Sequence, residues 1–210
     1  MPEDKLQFYD ENTRKFYKLV ETKTWPALEI SGIIMHRVKD TDPKTDAYTK
    51  LRIMGRVEGT VLDSCTGLGY TAILAAREEK VDKVITIEKD ENVLLLARKS
   101  PFSKELFENP KIEMISGDAS VEVKKFKDSS FDCIFHDPPR FALAGELYSL
   151  DFYRELYRVL RKNGRLFHYT GKPGIKQGKN YLKGIANRLM ASGFTKVEWK
   201  EIPQGFFAKK

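Results

Sequence analysis

From residue 61 onward, apolar and polar stretches alternate regularly. Short apolar runs at 61–63, 83–88, 111–115, 131–136 and 165–169 read as strands. Between them, 70–79, 92–99, 121–126 and 151–161 carry apolar residues at helical spacing, with a further helical turn at 102–107. In the stretch 151–161, Phe152, Leu156, Val159 and Leu160 share one face, and Asn163-Gly164 reads as its cap. A last helix is predicted over 181–191, followed by two strands, 194–200 and 205–209, close enough to pair antiparallel. Strand alternating with helix predicts an α/β fold with a doubly wound, mostly parallel sheet.

The first 55 residues do not follow that rhythm. The stretch 6–22, with Phe8, Tyr9, Phe16, Tyr17, Leu19 and Val20, reads as a short segment and a helix that ends at Trp25-Pro26. Strands at 27–30 and 33–36 around Ser31-Gly32 read as a small hairpin. The polar stretch 40–45, with Pro43, reads as a loop, and 47–55 as a short helix leading to the first core strand. The expected division is a helix and hairpin extension over 1–55 and a ligand-binding domain over 56–210.

The stretch 61–72 is a strand, a loop of small residues and a helix start, where backbone can approach a bound cofactor closely. Gly67-Leu-Gly69-Tyr-Thr-Ala72 also fits the dinucleotide pattern, with Glu88 about 20 residues on. Three features argue against a pyrophosphate. Asp63, Ser64, Cys65 and Thr66 separate the glycines from the strand. Asp63 puts at the loop mouth a carboxylate that repels a pyrophosphate and attracts an ammonium or a sulfonium. Acids recur at four successive strand ends, as Asp63, Glu88, Asp118 and Asp137, and those ends line the crevice of an open α/β sheet. Such a crevice suits a cationic cofactor bearing an amine, a sulfonium and ribose hydroxyls.

Composition narrows the setting. No apolar run reaches the length of about 18 residues that spans a membrane, and the charged N-terminus leads into no apolar leader, so a cytoplasmic protein without membrane attachment is expected. Cys65 and Cys133 form neither a metal spacing nor a disulfide framework, which fits a reducing cytosol and no metal. The net charge of +7 disfavours a polycation substrate and suits a polyanion.

On the 61–72 loop and the four acids, the chain resembles the class I S-adenosylmethionine-dependent methyltransferases over roughly residues 57–207. Within them it is similar to an archaeal group sharing Asp137-Pro-Pro-Arg-Phe141 and His168-Tyr-Thr-Gly171. The resemblance implies a Rossmann-like methyltransferase fold and S-adenosyl-L-methionine as cofactor. It implies that Asp63 and the loop of Cys65, Gly67 and Gly69 pass the methionine end. It also implies that Glu88 takes the ribose hydroxyls, Asp118 accepts from the adenine amino group and Ala119 packs on the ring. Cys65 stands where the family often has its first loop glycine.

Asp137-Pro138-Pro139-Arg140-Phe141 lies where an acceptor would meet the sulfonium. A carboxylate there can accept from an exocyclic amine and hold its lone pair in line, while the prolines fix the turn and leave carbonyls free to accept. The motif is similar to the Asp-Pro-Pro-x-Phe of a group of RNA base methyltransferases, in which the ring stacks on a base. The catalytic expectation is therefore Asp137, Pro138 and Phe141, with His168 as a general base. Arg140, Lys172 and Lys176 are the expected substrate contacts, the last two in a basic, glycine-rich loop over 172–183 that suits phosphates. An RNA base or another nucleotide-bearing acceptor is the leading expectation. The alternative is an aminopropyltransferase using decarboxylated S-adenosylmethionine, because 145–156 resembles the helix region of spermidine synthases. Against it, their Gly-Gly-Gly-Asp-Gly-Gly loop is absent, and the first acid of their Asp-x-x-Asp-Pro pattern falls on Ile134. Cys133, inside an apolar strand, reads as a core residue. The oligomeric state is left open, a homodimer included.

Overall fold

The computed structural model describes residues 6–172 and 178–210. Its main sheet has seven strands: β5 (Gly59–Asp63), β6 (Val81–Glu88), β7 (Ile112–Ser116), β8 (Phe131–His136), β9 (Leu160–Tyr169), β10 (Thr195–Lys200) and β11 (Gly205–Lys209). Their order is β10-β11-β9-β8-β5-β6-β7. The β7-β6-β5-β8-β9 part is parallel, and β11 runs antiparallel to both β9 and β10. The mostly parallel sheet and the closing antiparallel pair are as the sequence pattern predicts.

The period-two alternation of the strands sorts the core onto two faces. Val61, Cys133, Phe135 and Phe167 pack on one side with α1 (Pro43–Met54), α2 (Tyr70–Ala76) and α3 (Glu91–Lys99). Leu62, Ile134, Leu166 and Phe206 pack on the other with α6 (Leu150–Val159) and α7 (Gly178–Ala191). The short helices α4 (Lys104–Glu108) and α5 (Ala119–Glu122) flank β7. Each large apolar side chain fully buried this way contributes about 1.5–3 kcal/mol.

The strand that starts at β5 sets the site. β5 is central, and the chain turns out of it at its carboxyl end through Ser64–Gly69 into α2. Gly69 caps α2 in the left-handed conformation (φ 79°), and a Cβ there would meet Leu106 at 2.7 Å. Its glycine is thus required by the turn and by the close approach of α4. At Gly67 (φ 55°) a Cβ would meet nothing, because this residue borders open space.

The N-terminal region corrects two expectations. No helix forms within 6–22: β1 (Gln7–Asp10) and β2 (Lys15–Val20) make a hairpin, joined by β3 (Ala27–Ile30) and β4 (Ile33–Ile34) in a four-stranded antiparallel meander. The aromatics that suggested a helix pair across the hairpin instead, Phe8 with Tyr17 and Tyr9 with Phe16. Asp10 accepts from the Thr13 amide to close the turn. Helix α1 begins at Pro43 rather than residue 47, because Asp42 caps it and proline suits the first helical position. Likewise Asn163-Gly164 does not cap α6. That helix stops at Val159, Leu160 already pairs with Phe131, and Asn163 (φ 65°) lies in an irregular part of β9 bonded to the Lys210 carbonyl.

The small sheet is docked on the main domain by specific contacts. Trp25 packs on Tyr70 at 4.7 Å, the Tyr70 hydroxyl donates to the Pro26 carbonyl, and Tyr17 donates to Asp90 at the start of α3. It therefore overhangs the carboxyl ends of β5 and β6.

Candidate active site

A cavity of about 430 Å³ lies between the carboxyl end of the main sheet and the overhanging small sheet. Of the residues expected from the sequence, Cys65, Gly67, Glu88, Asp118, Ala119, Asp137 and Pro138 line it. The strand-loop-helix order at β5, β6 and β7 brings the first five together, and the end of β8 brings the last two.

At the β5–β7 side the polar groups are held in fixed poses. Glu88 accepts from the Gly67 amide at 2.9 Å and from the Asp90 amide at 3.0 Å. Burial nevertheless raises its pKa. Asp118 caps α5 by accepting from the Ser120 amide and hydroxyl at 2.8 and 2.7 Å, with Lys89 at 3.3 Å. Burial works against the Asp118 charge, but these donors outweigh it and hold its pKa below the usual carboxylate value. Ala119 presents a small apolar surface beside it. Burial, with Glu88 and Asp63 adding to it, pushes the Cys65 thiol far up, so Cys65 is a protonated wall residue.

Asp63 lies behind this wall, fully buried. Its Oδ2 accepts from Thr86 at 2.8 Å, while Oδ1 has no partner among the described residues. Burial raises its pKa from 3.8 to about 8. Unlike Glu88, Asp118 and Asp137, it is not among the residues that line the cavity. A pH dependence follows. Between about 4 and 8 the folded, ligand-free protein holds a proton on Asp63 that the unfolded chain has lost. The contribution of Asp63 to stability is therefore full at low pH and is lost as pH rises through about 8. Thermal melts across that range are expected to show this decline in the wild type and to lose it in Asp63→Asn.

The β8 side holds a charge chain that the sequence reading missed. Lys50 from α1 donates to Asp137 Oδ2 at 2.5 Å and to Asp46 Oδ2 at 2.6 Å. Arg37 donates to Asp46 Oδ1 at 2.7 Å and to the Ile202 carbonyl at 2.8 Å. Burial opposes the charge of Lys50, but Asp137 and Asp46 outweigh it and raise its pKa, so it is a permanent cation. Burial raises the pKa of Asp137, with Lys50 opposing. Asp137 keeps 26% of its side chain exposed, and its Oδ1 has no hydrogen-bond partner among the described residues. The one signal for this chain in the sequence is that Asp46 and Lys50 fall on the same α1 face as Ala47, Leu51 and Met54.

The other expected residues lie elsewhere. His168 is fully buried on the α6 side of β9 and does not reach the cavity. Its Nε2 accepts from Tyr153 at 2.8 Å and its Nδ1 faces the His136 carbonyl at 3.3 Å. Burial, with His136 beside it, keeps it neutral. Tyr169, one residue on, points the other way and lines the cavity. Phe141 is 48% exposed and edges onto Tyr148 and Tyr181 outside the cavity wall. Arg140 is exposed, and Lys172 pairs with Glu201 at the surface. Lys176 lies outside the described residues. Cys133 is a core residue of β8. Among the described residues no group of three or more His, Cys, Asp or Glu is placed to hold a metal, and no helix is long and apolar enough to cross a membrane.

Comparison with known proteins bears on the family and the fold. A methyltransferase domain family matches residues 61–164. An uncharacterised Methanocaldococcus jannaschii protein, MJ1233, is 50% identical over 197 residues, covering 93% of this chain and 67% of that one. Putrescine N-methyltransferase 4 of Nicotiana tabacum is 26% identical over 207 residues, covering 95% of this chain and 53% of that protein. The chain thus spans about half the length of that plant relative. By structure, a spermidine synthase in complex with a transition-state analogue superposes over 97% of this chain and 72% of its own, with a TM-score of 0.75 at 19% identity. A methyltransferase from Aquifex aeolicus that depends on S-adenosylmethionine covers 80% of this chain and 92% of its own, with a TM-score of 0.58 at 21% identity. At these identities the structural likeness is one of fold. With the sheet order, the acid-lined crevice and the matched domain in agreement, the chain belongs to the class I S-adenosylmethionine-dependent methyltransferases.

Proposed function

We propose that this methyltransferase alkylates a nitrogen of a small-molecule acceptor held at Asp137. The observation that carries the reading is the Lys50–Asp137 pair: one carboxylate oxygen is fixed by a buried cation and the other borders the cavity without a partner. Bound S-adenosylmethionine supplies an electrophilic methyl group. In this reading Glu88 takes the ribose hydroxyls, Asp118 and Ala119 take the adenine, and the Cys65–Gly67 backbone borders the methionine end, with Asp63 buried behind it. Asp137 Oδ1 accepts from the acceptor nitrogen and takes the proton that the amine must lose, while Lys50 keeps the carboxylate ionised and oriented. The backbone carbonyl of Pro138 is a further acceptor at the same turn, since neither neighbouring proline nitrogen can compete for it.

A small acceptor is favoured because the overhanging sheet and the residues after it, Ile33 and Met35 among them, wall a cavity of about 430 Å³. An RNA base remains the second reading, supported by exposed Phe141 and Arg140 just outside the wall. Transfer of labelled methyl into fractionated extract separates them. Label in the small-molecule fraction is expected; label confined to RNA would select the base reading, with Phe141→Ala and Arg140→Ala then lowering the transfer.

A further inference from the structure

The acceptor end of the cavity is rich in hydrogen-bond donors and nearly exhausted of acidic acceptors. Both oxygens of Asp46 are taken, one by Arg37 and one by Lys50, and Asp137 Oδ2 is taken by Lys50. Asp137 Oδ1 is what remains. Further along the same charge chain, Arg37 spends only Nη1, on Asp46 and on the Ile202 carbonyl. Among the described residues its Nε and Nη2 make no hydrogen bond, although the side chain is only 13% exposed and lines the cavity. His36, beside it on the wall, accepts from the Leu28 amide through Nδ1, which places the ring proton on Nε2. Burial, with Lys50 nearby, lowers its pKa to about 4, so at neutral pH the ring is an uncharged donor.

We propose that Arg37 and His36 form a carboxylate subsite at the acceptor end of the cavity, so that the acceptor carries an anionic group as well as its reactive amine. A guanidinium with two spare donors on a cavity wall is the usual partner of a planar carboxylate. A diamine fits this end poorly. Its second ammonium needs an acid, whereas the spare hydrogen-bonding groups here belong to Arg37, a cation. That distinguishes this chain from its putrescine-methylating relatives, which share its fold but whose named acceptor is a dication. Arg37 is linked to Asp137 through Asp46 and Lys50 and makes no hydrogen bond to the β5–β7 residues given to the cofactor, which assigns the carboxylate to the acceptor rather than to the cofactor.

The assignment to an acceptor rests on the small-amine reading; the existence of the subsite does not. The test uses γ-aminobutyrate, butylamine and putrescine, matched in chain length and differing in the far group. Their binding to the full chain loaded with S-adenosylhomocysteine is measured by calorimetry, and their methylation is followed alongside. In parallel, S-adenosylmethionine and its decarboxylated form are titrated. Wild type is expected to prefer γ-aminobutyrate to butylamine by about 10–100-fold and to bind putrescine worst. Arg37→Gln is expected to erase that preference. Arg37→Lys, which keeps the ion pair to Asp46 but not the spare donors, is expected to erase most of it in a protein that melts like wild type. If Arg37→Gln instead weakens S-adenosylmethionine and spares its decarboxylated form, the carboxylate is the cofactor's and the acceptor assignment is overturned. If neither preference depends on Arg37, the subsite itself is overturned. Failure of every amine to be methylated, with cofactor bound, counts against the amine reading, and the two cofactor titrations still decide the subsite.

Discussion

Asp137→Asn is expected to lower methyl transfer by about 10²–10⁴-fold while leaving S-adenosylmethionine bound. The substitution keeps the shape of the side chain and one oxygen. It removes the charge that Lys50 neutralises and the basic oxygen that takes the amine proton. The proposed cofactor contacts lie at the ends of β5–β7, so calorimetry on the variant should still register binding. Single-turnover kinetics measure the loss directly. An asparagine variant within a few-fold of wild type would remove Asp137 from the chemistry and leave Lys50–Asp137 as a structural pair only.

Lys50→Met carries the second large effect, on stability. The lysine is 7% exposed and is the common partner of two carboxylates, so its removal strands Asp46 and Asp137 against each other in a poorly solvated place. Breaking a buried ion pair by deleting one partner costs about 3–5 kcal/mol. In a chain of this size that corresponds to a fall in Tm of roughly 6–20 °C. The pairing account also predicts rescue. Adding Asp46→Asn to Lys50→Met removes one stranded charge and should recover part of the loss, leaving a clear non-additivity in the double-mutant cycle. A melt unchanged by Lys50→Met would mean that water reaches both acids freely.

The sequence made the parallel core legible because each strand is a short apolar run ended by an acid or a turn. The ligand end of the site followed from the same pattern: Glu88, Asp118 and Asp137 sit at strand ends, and strand ends line the crevice. Position within the loop was harder to read. Gly67 and Gly69 look alike in the sequence, yet Gly67 borders the cavity and Gly69 is packed against Leu106. Strand parity explains His168. It was singled out with the strand end, but alternate residues face opposite sides of a sheet, so Tyr169 faces the cavity and His168 the core. Asp46 and Lys50 stayed hidden because an acid four residues before a lysine on a helix ordinarily reads as a solvated surface pair. Only the docking of α1 against α2 and β9, which brings Lys50 to Asp137 just after β8, turns that pair inward. The β1–β2 hairpin was misread because its aromatics, taken without their cross-strand partners, suit a helix as well as a strand.

The pairing of His136 with Ser64 ties the two halves of the site together. Ser64 follows Asp63 and bonds His136 Nδ1 at 2.6 Å, and His136 immediately precedes Asp137. His136 Nε2 in turn meets the Leu147 carbonyl at 2.9 Å. Burial lowers the His136 pKa to about 3, so this brace stays uncharged across the physiological range. The loop after β5 and the turn after β8 are thereby held in one register without adding a further charge between them.

The most direct test of the account is the chemical shift of a ¹³C-methyl group delivered from labelled S-adenosylmethionine to the purified small-molecule product. The account predicts a methyl carbon bonded to nitrogen, formed by wild type and lost in Asp137→Asn. A methyl on oxygen or carbon, or an N-methyl product made equally well without the Asp137 carboxylate, would contradict it.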